Sequence, residues 1–282
     1  MEAEALAGGN MSGAVVRVGD TVRKPGGPQS ATVQRLAAHV RALGLEWVQE
    51  PLGTDDDGRD VWGFIPGEVV HDAPAWLRGD GVLVEIARRL REWHDATVTF
   101  ERRPGDVWWW PGKRPAEVIC HVDFAPYNHV YRDGEFVGLI DLDICYPGPR
   151  LWDLAYTAYR YVPLLPHVDD DVPDGGVGGG ADGEGGGGGG GGADRTVLPR
   201  AEVTRRLGLF LEAYAGDDGR LLYPASGLLG YVPPRLDAMA DWCAQQDSAE
   251  LRRHGLMYRA HARWIEGGAL GAARVVEVGD VG

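Results

Sequence analysis

Carboxylate and amide side chains occur at two places along the chain where short apolar segments end. Asp123 and Asn128 lie in an irregular segment that contains Pro126. Asp141 and Asp143 directly follow an apolar run, and the single residue between them directs both side chains to one side of an extended chain. Mg²⁺ binds one or two carboxylates together with substrate phosphates. The pattern therefore predicts an oxygen-rich pocket for a metal ion and phosphates.

The elements around these residues predict a hairpin that brings both groups to one cleft. Apolar residues at 130–131 and 137–140 indicate two strands, and Asp133-Gly134 between them is typical of a tight turn. A further apolar segment at 118–120 precedes the first polar group. Polar side chains beside such strands are costly to bury without a ligand, so a purely structural role is disfavoured for the set.

Three ordered motifs carry a family resemblance. They are HxDxxxxN at 121–128, IDxD at 140–143 and DLA at 153–155. Their combination resembles the aminoglycoside phosphotransferase family. The resemblance implies an α+β, bilobal protein-kinase-like fold, with a small β-rich N-lobe over 1–66 and a larger, mainly helical C-lobe over 67–282.

The same resemblance implies a role for each motif residue. Asp123 would accept or orient the proton of the attacking substrate hydroxyl. Asn128 and Asp141 would hold Mg²⁺ against the ATP phosphates, and Asp143 would contact either the metal or one of its ligands. His121 would brace the loop by hydrogen bonding. Asp153 would either cap a helix or tie the catalytic loop in place, and the cap is the favoured interpretation.

The N-terminal segment is interpreted as the nucleotide-binding part. A glycine-rich turn at 8–13 lies between two predicted strands, where the family has its nucleotide loop. Lys24, one of only two lysines in the chain, falls on the strand where the family places its phosphate-binding lysine. The segment 64–68 resembles the hinge whose backbone contacts adenine. The residues expected to bind the nucleotide are Gly9, Asn10, Ser12, Lys24, Phe64 and Ile65.

Two positions depart from the family pattern. The N-lobe helix usually carries a Glu that pairs with the strand lysine, but no acidic residue occurs between Ala31 and Leu45. Either Lys24 is oriented by another group or the ATP site is weakened. The catalytic loop also has Val122 where Gly is usual. Neither change removes the catalytic aspartate or the metal ligands.

Composition limits the class of protein. The 282 residues include 28 basic and 42 acidic side chains, for a net charge of −14, which argues against a partner bound through nucleic acid phosphates. The 3 cysteines lack metal-ligand spacing. No apolar run approaches the roughly 20 residues of a membrane span, and no secretory signal pattern begins the chain. A cytoplasmic protein with a small hydroxylated substrate, and without nucleic acid or membrane partners, is expected.

Much of the acidity and glycine content falls in one stretch. Residues 175–192 contain 14 glycines in 18 positions, and the surrounding segment 169–194 is rich in aspartate. Such a composition cannot form a packed core. We expect a disordered, acidic insertion in the C-lobe.

The function that accounts for most of these features is an ATP- and Mg²⁺-dependent kinase acting on a hydroxyl of a small molecule, with aminoglycosides and other antibiotics among the candidate acceptors. A pseudokinase that acts as a nucleotide-binding or interaction module is the alternative that the missing helix Glu supports. A metal-dependent hydrolase built on His121, Asp123, Asp141 and Asp143 would leave Lys24 without a role. The sequence leaves the acceptor and the choice between ATP and GTP open.

Overall fold

The computed structural model describes residues 3–6, 15–71, 74–165, 198–216 and 221–267. The predicted glycine-rich turn at 8–13, with Gly9, Asn10 and Ser12, lies outside the described residues. So does the predicted insertion at 169–194.

The N-terminal part is an antiparallel sheet with one helix packed beside it. Its strand order is β1-β2-β3-β5-β4. The elements are β1 (Ala3–Ala5), β2 (Val16–Val18), β3 (Thr21–Pro25), α1 (Ser30–Ala42), β4 (Pro51–Thr54) and β5 (Arg59–Gly63). The helix buries Val33, Leu36, Ala37 and Val40 at helical spacing, and the chain leaves it through Gly44, whose φ of 99° suits glycine. The spacing of these apolar residues in the sequence by itself predicts a helix, and the structure shows it.

The C-terminal part combines two small sheets with a larger set of helices. One sheet has the order β6-β8-β9, and the other pairs β7 with β10. The strands are β6 (Glu68–Val69), β7 (Val118–Cys120), β8 (His129–Arg132), β9 (Glu135–Leu139) and β10 (Tyr146–Gly148). The helices are α2 (Asp80–Val98), α3 (Arg150–Tyr161), α4 (Arg200–Ala215), α5 (Ala225–Ala244) and α6 (Ala249–Glu266). The predicted α+β arrangement, with a β-rich N-terminal part and a mainly helical C-terminal part, is observed.

The β8–β9 hairpin has the turn that the sequence predicts. Asp133 and Gly134 have φ values of 53° and 80°, the left-handed geometry that a two-residue turn requires. The hairpin also joins the two parts of the chain. Leu139 donates its N–H to Trp47 O at 2.9 Å, and its carbonyl accepts from Gln49 N at 3.0 Å. This places the end of β9, just before Asp141, against the N-terminal part.

A buried apolar core runs between α2, α3 and the C-terminal helices. Its largest side chains include Trp93, Phe124, Tyr156 and Phe210, all fully buried. None of the described helices is both long enough and apolar enough to cross a membrane.

Buried histidine makes the stability of this core sensitive to acid. His261 on α6 is buried and its Nδ1 lies 2.8 Å from the Tyr159 hydroxyl. Burial, together with the Arg160 guanidinium, lowers the pKa of His261 to about 4. The unfolded chain gains this proton near pH 6.5, whereas the folded chain gains it only near pH 4. Stability from this group is therefore complete above pH 6.5 and is lost as the pH falls toward 4.

We expect His261→Gln to remove that pH dependence. Between pH 7 and pH 5 the free energy of unfolding of the wild type should fall, relative to the variant, by on the order of 1–2 kcal/mol. Urea unfolding of both proteins at the two pH values measures this difference. If the free energies of unfolding of the two proteins differ by the same amount at pH 7 and pH 5, the assignment of a neutral buried imidazole is contradicted.

Candidate active site

The loop between β7 and β8 holds Asp123 in a fixed orientation. Its Oδ1 accepts a hydrogen bond from the Tyr127 hydroxyl at 2.6 Å. Its Oδ2 accepts from Asn128 Nδ2 at 2.9 Å, and the same amide nitrogen donates to the Asp123 carbonyl. Asn128 closes a single 3-10 turn over Pro126–Asn128. The carboxylate therefore faces the cleft with both oxygens oriented by its own loop.

Asp153 ties this loop to α3. Its Oδ2 accepts from the backbone N–H of His121 at 2.7 Å, and its Oδ1 accepts from that of Val122 at 2.8 Å. The favoured expectation of a helix cap is wrong, because Pro149 occupies the N-cap position of α3 without a side-chain cap. Asp153 lies one turn inside the helix, and both of its carboxylate oxygens accept hydrogen bonds from the loop. The alternative stated from the sequence, a tie on the loop, is what the structure shows.

The carboxylate of Asp153 also contacts a buried histidine. His94 Nε2 lies 3.2 Å from Asp153 Oδ2, and its Nδ1 lies 2.7 Å from the Tyr214 hydroxyl. Burial lowers the pKa of His94, although Asp153 opposes the shift. The neutral ring then donates from Nε2 to Asp153 and accepts from Tyr214. His121 makes its own contact, from Nε2 to the Ile140 carbonyl at 3.3 Å.

The backbone at Val122 adopts a conformation that is rare for its residue type. Its φ is 75°, which is unfavourable for a β-branched residue and costs on the order of 1–3 kcal/mol. The two bonds to Asp153 hold this geometry from one side. From the other side, the buried Arg235 on α5 donates from Nη2 to the Val122 carbonyl at 2.5 Å. Three hydrogen bonds from two helices, α3 and α5, thus fix the loop in its strained form.

Lys24 is oriented by the two aspartates that follow β9. Its Nζ lies 3.0 Å from Asp141 Oδ1 and 2.7 Å from Asp143 Oδ2. Burial alone would lower the pKa of Lys24, but the two carboxylates raise it, so the side chain is charged. Gln34 on α1 instead donates to Asp60 Oδ1 at 2.9 Å. Of the two possibilities left open by the missing helix Glu, the structure shows orientation by another group.

The oxygen atoms near Lys24 fit a divalent cation. Asp141 and Asp143 already converge on one positive nitrogen, and Asn128 uses its amide nitrogen on Asp123, which leaves its Oδ1 as a possible ligand. No group of three or more His, Cys, Asp or Glu placed to hold a metal occurs within the described ranges. Two carboxylates and one amide match the few protein ligands that Mg²⁺ takes when phosphates and water complete its shell.

One cavity of about 810 Å³ is lined by Lys24, Asp123, Asn128 and Asp141. The side of this cavity formed by the N-terminal part includes Lys24, Gln49, Phe64 and Ile65. The Phe64 N–H donates to Asp20 O at 2.8 Å, so this hinge N–H is already used. Of the residues predicted to bind the nucleotide, those within the described ranges lie along this side of the cavity.

The opposite side of the cavity was not identified from the sequence. It is lined by Tyr127, Arg160, Met239, Trp242, Cys243, Leu251, His254, Met257 and Tyr258. A signal for Arg160 exists, since it lies three and seven positions along α3 from Thr157 and Asp153, on the face that contacts the β7–β8 loop. No local pattern indicates that α5 and α6 close this side, because that depends on how distant helices pack.

Lys24, Asp141 and Asp143 converge between the β-rich N-terminal part and the mainly helical C-terminal part. This arrangement, together with the fold, indicates the class of protein. The fold is that of the protein-kinase-like small-molecule kinases. The chain belongs to the phosphotransferase enzyme family, whose model matches residues 31–184.

One named relative and several solved structures are similar. The trifolitoxin immunity protein of Rhizobium leguminosarum bv. trifolii is 35% identical over 175 residues, which are 60% of this chain and 64% of that protein. A choline/ethanolamine kinase family protein from Mesorhizobium loti has a TM-score of 0.61 at 15% identity, over 96% of this chain and 90% of its own. A microcompartment-associated aminopropanol kinase has a TM-score of 0.60 at 13% identity, covering 96% and 93%. At these identities the solved structures establish the fold alone.

Proposed function

We propose that this protein transfers the γ-phosphate of ATP to a hydroxyl of a small molecule in a Mg²⁺-dependent reaction. The observation that carries the proposal is that Lys24, Asp123, Asn128 and Asp141 line one cavity although they come from separate parts of the chain. A phosphotransferase needs this set, because catalysis consists mainly of positioning two reactants and neutralising their charge. We place the reaction in the cytoplasm, where ATP is abundant.

Each residue has a defined task in this proposal. Asp123 accepts the proton of the acceptor hydroxyl. The hydroxyl oxygen of the acceptor then forms the new bond to the γ-phosphorus, while the bond between that phosphorus and the leaving ADP oxygen breaks. Lys24 binds the phosphates as a point charge. Asn128, Asp141 and Asp143 would hold Mg²⁺, which when bound offsets the negative charge of the phosphates. Within the lobes proposed from the sequence, the N-lobe (1–66) binds the nucleotide and the C-lobe (67–282) supplies Asp123 and the acceptor wall.

A second candidate function is immunity by binding alone. The resemblance to a trifolitoxin immunity protein favours a role in protection from a toxic compound. The pairing of Lys24 with both carboxylates of the candidate metal site, Asp141 and Asp143, would suit a protein that binds such a compound without phosphorylating it. The two candidates differ in whether ATP is consumed.

Nucleotide binding is the first test. ATP with Mg²⁺ should stabilise the wild type by about 2.7 kcal/mol at 100 times the dissociation constant, because ligand binds only the folded chain. Asp141→Asn should weaken the Mg²⁺-dependent part of the thermal shift, since one carboxylate ligand is lost. The matched control Asp56→Asn, in the exposed β4–β5 turn, should behave as the wild type. The absence of any shift with ATP, GTP or Mg²⁺ would reject the kinase.

Acceptor identity calls for a panel assayed by ADP release. The panel should include aminoglycosides, macrolides and amino alcohols, because structurally similar kinases are named for such compounds. Phosphorylated product must accumulate in step with ADP, and growth protection without product would favour the binding candidate.

A further inference from the structure

The acceptor side of the cavity contains a positive charge that no described carboxylate neutralises. Arg160 lies near the end of α3 and lines the cavity. No Asp or Glu within the described ranges forms an ion pair with it, and its Nε is buried without a hydrogen-bond partner. Its guanidinium carbon lies 5.1 Å from the centre of the Tyr127 ring. Arg160 as a whole is half-buried, but a buried Nε without a partner on a charged group is costly unless a ligand completes the contacts of the guanidinium.

The groups around Arg160 are neutral. Burial raises the pKa of Tyr127, Tyr156 and Tyr159 above the ordinary value of a phenol, so these hydroxyls keep their protons. The pKa of about 4 places His261 in its uncharged form. These neighbours therefore carry no negative charge that could form an ion pair with the guanidinium.

The rest of this side of the cavity is largely apolar. Met239 and Trp242 from α5, and Leu251 and Met257 from α6, form its wall. Among the described lining residues on this side, Asp123 is the one carboxylate, and the Tyr127 hydroxyl already donates to it. An amine placed here would meet Arg160 and would find no second acid to pair with.

We infer that the acceptor is a hydroxy acid: a small molecule with an apolar part, a hydroxyl and a carboxylate that pairs with Arg160. The inference rests on the proposed function, because it assigns the substrate class of the same site. Arginine is suited to a carboxylate, since its fork of N–H groups forms two parallel bonds. The Tyr127 ring lies beside Arg160 and its hydroxyl bonds to Asp123, so a carboxylate on Arg160 leaves the hydroxyl of the same small molecule within reach of Asp123.

The test compares three probes that share an apolar chain and a hydroxyl but differ in charge. They are 3-hydroxyoctanoate, its amide 3-hydroxyoctanamide, and 1-aminooctan-3-ol, with kanamycin as a polycation. Calorimetry without nucleotide measures binding. The acid should bind at least about 10-fold more tightly than the amide, because the carboxylate forms charge-assisted hydrogen bonds with the guanidinium. The amine should bind still more weakly.

Variants at Arg160 attribute the preference to this side chain. Arg160→Gln should abolish the preference for acid over amide, and Arg160→Lys should retain part of it. The control Arg253→Gln, on the exposed face of α6, should leave it unchanged. If Arg160→Gln does not fold, the order of affinities of the three probes for the wild type, together with the affinities of Arg160→Lys, still tests the inference. Equal or tighter binding of the amide, the amine or kanamycin, or no binding of the acid, would overturn the inference.

The outcome is separable from that of the proposed function. Acid binding that depends on Arg160 but is never accompanied by ADP release would reject the kinase and leave the ligand class standing. ADP release with amines but not with the acid would keep the kinase and reject the hydroxy acid.

Discussion

Asp123→Ala is expected to lower turnover by about 10²–10⁴-fold, the usual contribution of a positioned acid or base. The carboxylate oxygens are held by the Tyr127 hydroxyl and by Asn128 Nδ2, so their orientation toward the cavity is defined before substrate binds. Removing them leaves no group at this place to accept the hydroxyl proton. Steady-state ADP release at saturating ATP and acceptor measures the loss.

Binding should be affected far less than turnover. The melting temperature and the ATP-dependent thermal shift of Asp123→Ala are expected to stay close to those of the wild type, because Lys24, Asp141 and Asp143 are untouched. Asp123→Asn, which keeps the shape of the side chain, should lose turnover to a similar degree. Asp56→Ala is the surface control. Near wild-type turnover in either Asp123 variant would remove this residue from the mechanism.

Asp153→Ala is expected to reduce the free energy of unfolding by about 3–5 kcal/mol, as for other buried charges whose partners are left unpaired. Its carboxylate, 1% exposed, satisfies the backbone N–H groups of His121 and Val122 and also faces His94. Alanine would leave these buried donors without acceptors. Against a typical total stability of about 5–15 kcal/mol, this is a large loss. Urea or guanidinium unfolding at pH 7 measures it.

A matched control separates this effect from the loss of any aspartate. Asp95 on α2 pairs with Arg91 and Arg150 but its side chain is 48% exposed, so Asp95→Ala should cost no more than about 1 kcal/mol. Asp153→Asn keeps one acceptor oxygen, so its loss in the free energy of unfolding should lie between those of Asp153→Ala and Asp95→Ala. The catalytic loop would also lose its tie, so turnover of Asp153→Ala should decline even where the protein remains folded. A stability change in Asp153→Ala no larger than that in Asp95→Ala would contradict the assignment.

Local patterns in the sequence were sufficient for the elements that surround the site. The spacing of Val33, Leu36 and Val40 predicts α1, and Asp133-Gly134 predicts the β8–β9 turn; both are observed. Periodicity and turn chemistry act over a few residues, so they can be read without knowing the packing. The order of the three motifs similarly identified the family and its fold.

The sequence by itself determined the candidate chemistry: an aspartate, an amide and two further aspartates in the order that a phosphotransferase uses. The tertiary structure decided how these groups are held. Lys24 contacts Asp141 although 117 positions of the chain separate them. Asp153 accepts hydrogen bonds from the β7–β8 loop and does not cap its own helix. Arg160 faces the cavity only because α5 and α6 pack over α3. Such contacts depend on how distant elements are arranged, and no local preference of the residues specifies them.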